Sequence, residues 1–130
     1  MNTLEEARAY FEHDRFATEN GAVIEELTDT YAVCSLSLTD HHRNAMGNVM
    51  GGVLFMLGDF AFAVASNFGK PHTVSATSQI TFLRTTKGDT LTARAELVRQ
   101  GRTSVYYEVS ITDGTGALVA RMTASGSIVG

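Results

Sequence analysis

Several things are scarce in this sequence, and each scarcity removes a class of function. It has one cysteine, one proline and no tryptophan in 130 residues. A single thiol, Cys34, excludes an internal disulfide framework and a cysteine-based zinc site. With 44% hydrophobic and 18% charged residues, the composition is neither that of a disordered chain nor that of a collagen-like one. Basic residues are outnumbered: ten Lys and Arg against 14 Asp and Glu leave a net charge of −4. That balance offers no footprint for a nucleic acid. The opening residues, MNTLEEARAYFEH, are acidic and amphipathic and lack the basic-then-apolar pattern of a signal peptide. A cytoplasmic location follows as an expectation, with residues 1–130 forming one domain. A chain of this length buries only about two thirds of its unfolded surface, so self-association would add burial.

One long apolar run exists, from Val49 to Ser66, 18 residues with Asp59 near the middle. A central carboxylate costs about 2.5–3.5 kcal/mol on insertion into a bilayer. The Gly51-Gly52 pair and the missing basic flank argue further against a membrane span. Asp59 is the only charge between Arg43 and Lys70, so Gly51 to about Asn67 reads as a helix without a polar face. Such a helix has to be enclosed by the rest of the fold.

The remaining pattern supplies an enclosure. Thr3-x-x-Glu6 has capping-box spacing, and Leu4, Ala7 and Phe11 follow at helical intervals, predicting a helix over about residues 3–16. Ala22 to Leu27 and Tyr31 to Thr39 read as strands around the turn Thr28-Asp29-Thr30, with Ala32, Cys34, Leu36 and Leu38 inward. Residues 40–50 are a polar, glycine-punctuated loop. Four further strands present Val74, Ala76, Ser78, Ile80 and Phe82; Leu91, Ala93, Ala95 and Leu97; Val105, Tyr107, Val109 and Ile111; and Leu118, Ala120, Met122 and Ala124 to one side. Short connections with Gly88, Gly101 and Gly114 make these an antiparallel meander. The fold class is α+β: a helix, two strands, a buried helix, four strands.

Familiar catalytic motifs are missing: there is no Gly-x-Ser-x-Gly elbow, phosphate-binding loop or His-Glu-x-x-His. The adjacent pair His41-His42 does not share a helix face, and no metal site is expected. The segment from His42 to Asp59 carries more. A glycine pair opening a helix leaves its first N–H groups unpaired and unshielded, at the positive end of the helix dipole. That is a place for a developing oxyanion. Asp59, seven residues after Gly52, lies on the same helix face. Burial raises the basicity of a carboxylate there, which suits a general base; a structural acid tied to a partner is the alternative. Seven residues span about 10 Å of helix axis. A donor and a base acting on one carbonyl must each lie about 3 Å from it. If both act, the site is built between two subunits.

The segment HHRNAMGNVMGGVLFMLGDFAFAVASN resembles the signature of hotdog-fold acyl-CoA thioesterases of the phenylacetyl-CoA and 4-hydroxybenzoyl-CoA type. The likeness runs from about residue 10 to 129. It implies an antiparallel sheet wrapped around the central helix, and a homodimer with a double-length sheet and active sites at the subunit interface, often doubled to a dimer of dimers. Asp59 matches the carboxylate that activates water or attacks the thioester. Asn44 matches the amide that places thioester or water, and Gly51 the glycine whose N–H polarises the carbonyl, with Gly52 beside it. Ser75 matches a hydroxyl near the water, with Thr77 the competing assignment. The turn Gln100-Gly101-Arg102-Thr103 resembles the segment that meets the nucleotide end of coenzyme A, and Arg84 and Lys87 add positive charge for its phosphates. Met50 departs from the family, which usually has His there; a thioether cannot donate a hydrogen bond. The resemblance implies hydrolysis of an acyl- or aryl-acyl-CoA to free acid and coenzyme A without cofactor or metal. A non-catalytic acyl-CoA binder on the same scaffold is the alternative. A hydratase ranks last, because the buried helix carries no histidine.

Overall fold

A computed structural model describes residues 1–129. In chain order the elements are α1 (Leu4–Phe11), α2 (Arg15–Glu19), β1 (Val23–Leu27), β2 (Tyr31–Ser37), α3 (Gly51–Asn67), β3 (Thr73–Phe82), β4 (Thr90–Gln100), β5 (Ser104–Asp113) and β6 (Leu118–Ile128). All six strands form one antiparallel sheet in the order β1-β2-β4-β5-β6-β3, and α3 packs across its inner face. This is the hotdog architecture expected from the sequence.

Alternation along the strands builds the core. Ala32, Cys34 and Leu36 of β2, Leu91, Ala93 and Ala95 of β4, Tyr107, Val109 and Ile111 of β5, and Ala120, Met122 and Ala124 of β6 are all buried. They meet Leu54, Leu57, Phe60, Ala61 and Val64 of α3. The helix comes close because Gly58 faces the sheet: a β-carbon there would lie 2.7 Å from Met122 Sδ. At its far end Lys70 Nζ donates to the carbonyls of Ala65 and Asp29 and to the Tyr107 hydroxyl, placing a cation on the negative end of the helix dipole. Burial pushes the Cys34 thiol up to about 12, so it behaves as a small hydrophobe.

Three local expectations are corrected. The helix predicted over residues 3–16 is two. Its start is as expected, with the Glu6 N–H donating to Thr3 Oγ1 at 3.1 Å. It ends where His13 and Asp14 N–H bond to the carbonyls of Tyr10 and Phe11, tightening the turn. Phe11 and Ala17 are both buried, yet on one straight helix they would point about 120° apart. Breaking the helix lets both reach the core. In β6, Leu118 is exposed and Val119 buried, because the β5–β6 register shifts between Ile111 and Thr112.

The third correction is in β3. Val74 and Ala76 are exposed, and Val74 does not share the face of Ser78, Ile80 and Phe82. Ser75 pairs with Gly126 and Thr77 with Ser125, so Ala76 is an extra residue that shifts the alternation by one. Gly126 faces α3, since a β-carbon on it would lie 2.7 Å from Thr73 Cγ2 and 3.0 Å from Phe62 Cζ. Before the bulge the helix-facing residues are therefore Thr73 and Ser75; after it they are Ser78, Ile80 and Phe82. β3 is also the last strand of the sheet, with one free edge.

Candidate active site

The loop before α3 is a hydrogen-bonded lead-in. His42, in a short 3₁₀ turn over Asp40–His42, is buried. Its Nδ1 accepts from the Thr39 N–H at 2.9 Å, which leaves Nε2–H to donate to the Asn20 carbonyl at 2.7 Å. Both ring nitrogens are used in tying α2 to the loop, and His41 beside it is exposed. Asn44 Oδ1 accepts from the N–H groups of Met46 and Asn48, which closes the loop and leaves the amide NH₂ as its remaining donor. The Met50 N–H then bonds to the His42 carbonyl at 3.0 Å, fixing the chain at the mouth of α3.

Met50 is the N-cap of α3 in an extended conformation, and its side chain makes no capping bond. Among the described residues no acceptor meets the N–H of Gly51 or Gly52. The glycine identities keep both groups accessible. A β-carbon on Gly51 would strike the Phe82 ring at 2.8 Å, and Gly52 faces open space.

Asp59 sits at the middle of α3, half-buried. Burial holds its carboxyl above its ordinary pKa; the Ser75 hydroxyl works against that rise, and the Asp14 carboxylate adds to it. Ser75 Oγ lies 3.5 Å from Asp59 Oδ1. The bulge at Ala76 is what aims Ser75 there, and it leaves Thr77 on the other face, where its carbonyl accepts from Ser125 Oγ.

Asp59 and Gly51 open into different spaces. Asp59 lines a cavity of about 250 Å³ with Asp14, Phe16, Met56, Phe60 and Ala63. Gly51 lines one of about 510 Å³ with Asn48, Leu54, Phe82, Leu83 and Arg84. Met50 and Gly52 border a third of about 230 Å³, together with Phe16 and Met56. Asp59 is thus at the Ser75 end of β3, whereas Gly51 is at the Phe82 end. The basic residues divide in the same way. Arg84 and Lys87 follow the Phe82 end. Gly101, Arg102 and Thr103 form the β4–β5 turn at the opposite end, where the Thr103 carbonyl accepts from the Ile128 N–H and Ile128 pairs with Thr73. Those ends are separated by the ten residues of β3, about 30 Å. One protomer brings together Asp59 with Ser75, and Gly51 with Arg84, but does not unite the two groups.

Asp14 and Phe16 line the Asp59 cavity, and the sequence did not mark them. Both lie in what reads as a continuous helix, and only its break turns them toward Asp59. Among the described residues no cluster of His, Cys, Asp and Glu fit to hold a metal ion occurs, and no helix is long and apolar enough to cross a membrane.

An antiparallel sheet with a carboxylate midway along its central helix and unpaired glycine amides at the helix mouth offers a base and donors fit to polarise a carbonyl. The comparisons with known proteins narrow that chemistry. The thioesterase superfamily model matches residues 46–120. The chain is 35% identical over 115 residues to the acyl-coenzyme A thioesterase PaaI of Escherichia coli K12, covering 88% of this chain and 82% of that one. It is 30% identical over 94 residues to human acyl-coenzyme A thioesterase 13, covering 68% of this chain and 66% of the human protein. The solved structure of the E. coli PaaI protein superposes with a TM-score of 0.87 at 29% identity, over 98% of this chain and 97% of that one. A hypothetical thioesterase from Streptococcus pneumoniae TIGR4, solved with coenzyme A, superposes at 0.84 and 28% identity, over 92% and 97% of the two chains. The chain belongs to the thioesterase superfamily.

Proposed function

We propose that the protein is an acyl-CoA thioesterase whose active site is assembled between two copies of the chain. One observation carries the assembly: Asp59 and Gly51 lie at opposite ends of the edge strand β3. Antiparallel pairing of two such edges runs the Ser75 end of one copy alongside the Phe82 end of the other. Asp59 of each copy then faces Gly51 of its partner, and one pairing makes two sites. The same pairing supports a dimer with a continuous sheet, from which a dimer of dimers can be built. It also brings the Arg102 turn of one copy toward Arg84 and Lys87 of the other, concentrating positive charge for the phosphates of coenzyme A.

In this reading the Gly51 N–H receives the thioester oxygen, with the Asn44 amide NH₂ as a second donor. Asp59 either takes a proton from water, which adds to the carbonyl carbon, or attacks that carbon itself to form an anhydride that water then opens. In both routes the C–S bond breaks, coenzyme A leaves as thiolate and gains a proton, and the acid is released. Thiolate leaves readily, so the chemistry asks for no metal or cofactor. An oxyanion donor is worth about 10²–10³ in rate and a base about 10²–10⁴. Met50, which cannot donate, favours a second reading as an acyl-CoA binder that does not turn over; binding without thiol release from a panel of acyl-CoAs would select it.

Mixing two inactive variants tests the shared site. Asp59→Asn lacks the base; Gly51→Pro lacks the N–H and suits the first position of a helix. Because its β-carbon displaces the Phe82 ring, Gly51→Ala, which displaces the ring but keeps the N–H, is the control. Co-refolded, the mixed dimer has one intact site, Asp59 of one copy with Gly51 of the other. Random pairing restores about a quarter of the wild-type rate. No recovery would show that both groups act within one copy.

A further inference from the structure

We infer that the cavity between α2 and α3 receives the acyl group, and that Asp14 at its rim selects against acyl groups carrying a second carboxylate. The inference rests on the thioesterase reading and names the substrate class of that site. The scissile carbonyl has to lie beside Asp59, with acyl group and coenzyme A leaving in different directions. Toward the partner's glycine end the walls carry Arg84, which suits phosphates. On the other side the cavity of about 250 Å³ is lined by Met56, Phe60 and Ala63 of α3 and by Phe16 and Ala17 of α2, a surface for carbon.

Asp14 is the exception in that wall. It stands at the N-cap of α2, yet its side chain makes no capping bond. Among the described residues no donor meets its carboxylate, so its charge is not spent on holding the helix. Burial holds its pKa above the ordinary value, and it lies near enough to Asp59 to raise that carboxyl too. Arg15, on the same rim, is engaged by Glu19 at 2.6 Å and is largely exposed. A substrate with a distal carboxylate would bring a third negative charge into a space already holding two. Asp14 is itself exposed, so water screens the repulsion, and the expected effect is severalfold, up to roughly tenfold, in kcat/KM. Phe16, 75% exposed, sets the length limit. With Met56 it borders both this cavity and the one of about 230 Å³ beside Gly52, and so stands between them.

The test compares hexanoyl-CoA with adipoyl-CoA, the same chain bearing a terminal carboxylate. In the wild type the ratio of kcat/KM is expected to favour hexanoyl-CoA severalfold, up to roughly tenfold. Asp14→Asn should cut that ratio at least threefold and Asp14→Lys further, with thermal melts verifying that both variants fold. Phe16→Ala should move the preference toward longer saturated chains. A ratio unmoved by both Asp14 variants overturns the inference, whatever Phe16→Ala does. A wild type that releases no thiol from any acyl-CoA fails the thioesterase reading instead; equilibrium binding of the two thioesters to wild type and Asp14→Lys then still decides the charge preference.

Discussion

At the scale of single residues, the fold holds Asp59 at a thermodynamic disadvantage, one that the proposed role as a base would need. Its folded pKa lies above the ordinary carboxylate value, chiefly through burial. The stabilising contribution of the protonated acid is therefore fully present below the unfolded pKa and is lost as the pH rises through the folded one. At neutral pH the ionised group weakens the fold. Asp59→Asn is expected to lower kcat/KM by about 10²–10⁴ and at the same time to raise Tm at pH 7. Thermal melts from about pH 7 down to about pH 3 should show that gain shrinking toward acid, where the wild-type acid is also neutral. Ser75→Ala removes a donor that lowers the Asp59 pKa, so the acid limb of the kcat/KM profile should move to higher pH. Thr77→Ala, on the other face of β3, should leave the limb in place. Asp59 and Gly51 were legible in the sequence because each breaks its surroundings: one charge in an apolar run, one glycine pair at a helix start. Asp14 was not, because an acid near the end of an apparent helix reads as solvated surface.

Among the elements, α3 and the four long strands could be read directly. A helix with no polar face has to be enclosed, and sustained alternation fits a strand with one face buried. What could not be read are the places where the period slips. A bulge adds a residue without altering composition, so the phase of β3 before Ala76 came out reversed. The α1–α2 break answers to tertiary burial of Phe11 and Ala17, a demand absent from the local pattern. The junction of β3, β6 and α3 is correspondingly tight. A methyl on Gly126 would meet Thr73 Cγ2 at 2.7 Å, the Phe62 ring at 3.0 Å and the Val74 carbonyl oxygen at 3.0 Å. Gly126→Ala is expected to destabilise the fold by about 1–3 kcal/mol, measured by urea unfolding. Because Thr73 and the bulge move with that junction, turnover should fall along with stability.

For the whole molecule, the expectation of a shared site rests on axial distance and on the family resemblance, and the two ends of β3 give it a direction. A ten-residue edge strand is also an exposed row of pairing groups that a solitary protomer would have to manage. Activity is expected to fall with dilution in step with dissociation, as followed by analytical ultracentrifugation and thiol release at matched concentrations. A concentration-independent specific activity in a monomeric preparation would contradict the paired site. The buried residue His42 joins two parts of the proposed site. Its ring grips α2, which flanks the proposed acyl cavity, through the Asn20 carbonyl, and its backbone carbonyl accepts from the Met50 N–H and so holds the peptide that leads into the Gly51 amide. A chain too long for its cavity would push on the first and thereby misalign the second. Oversized substrates should then bind well and turn over slowly, so that selectivity for length is read in kcat and barely in KM.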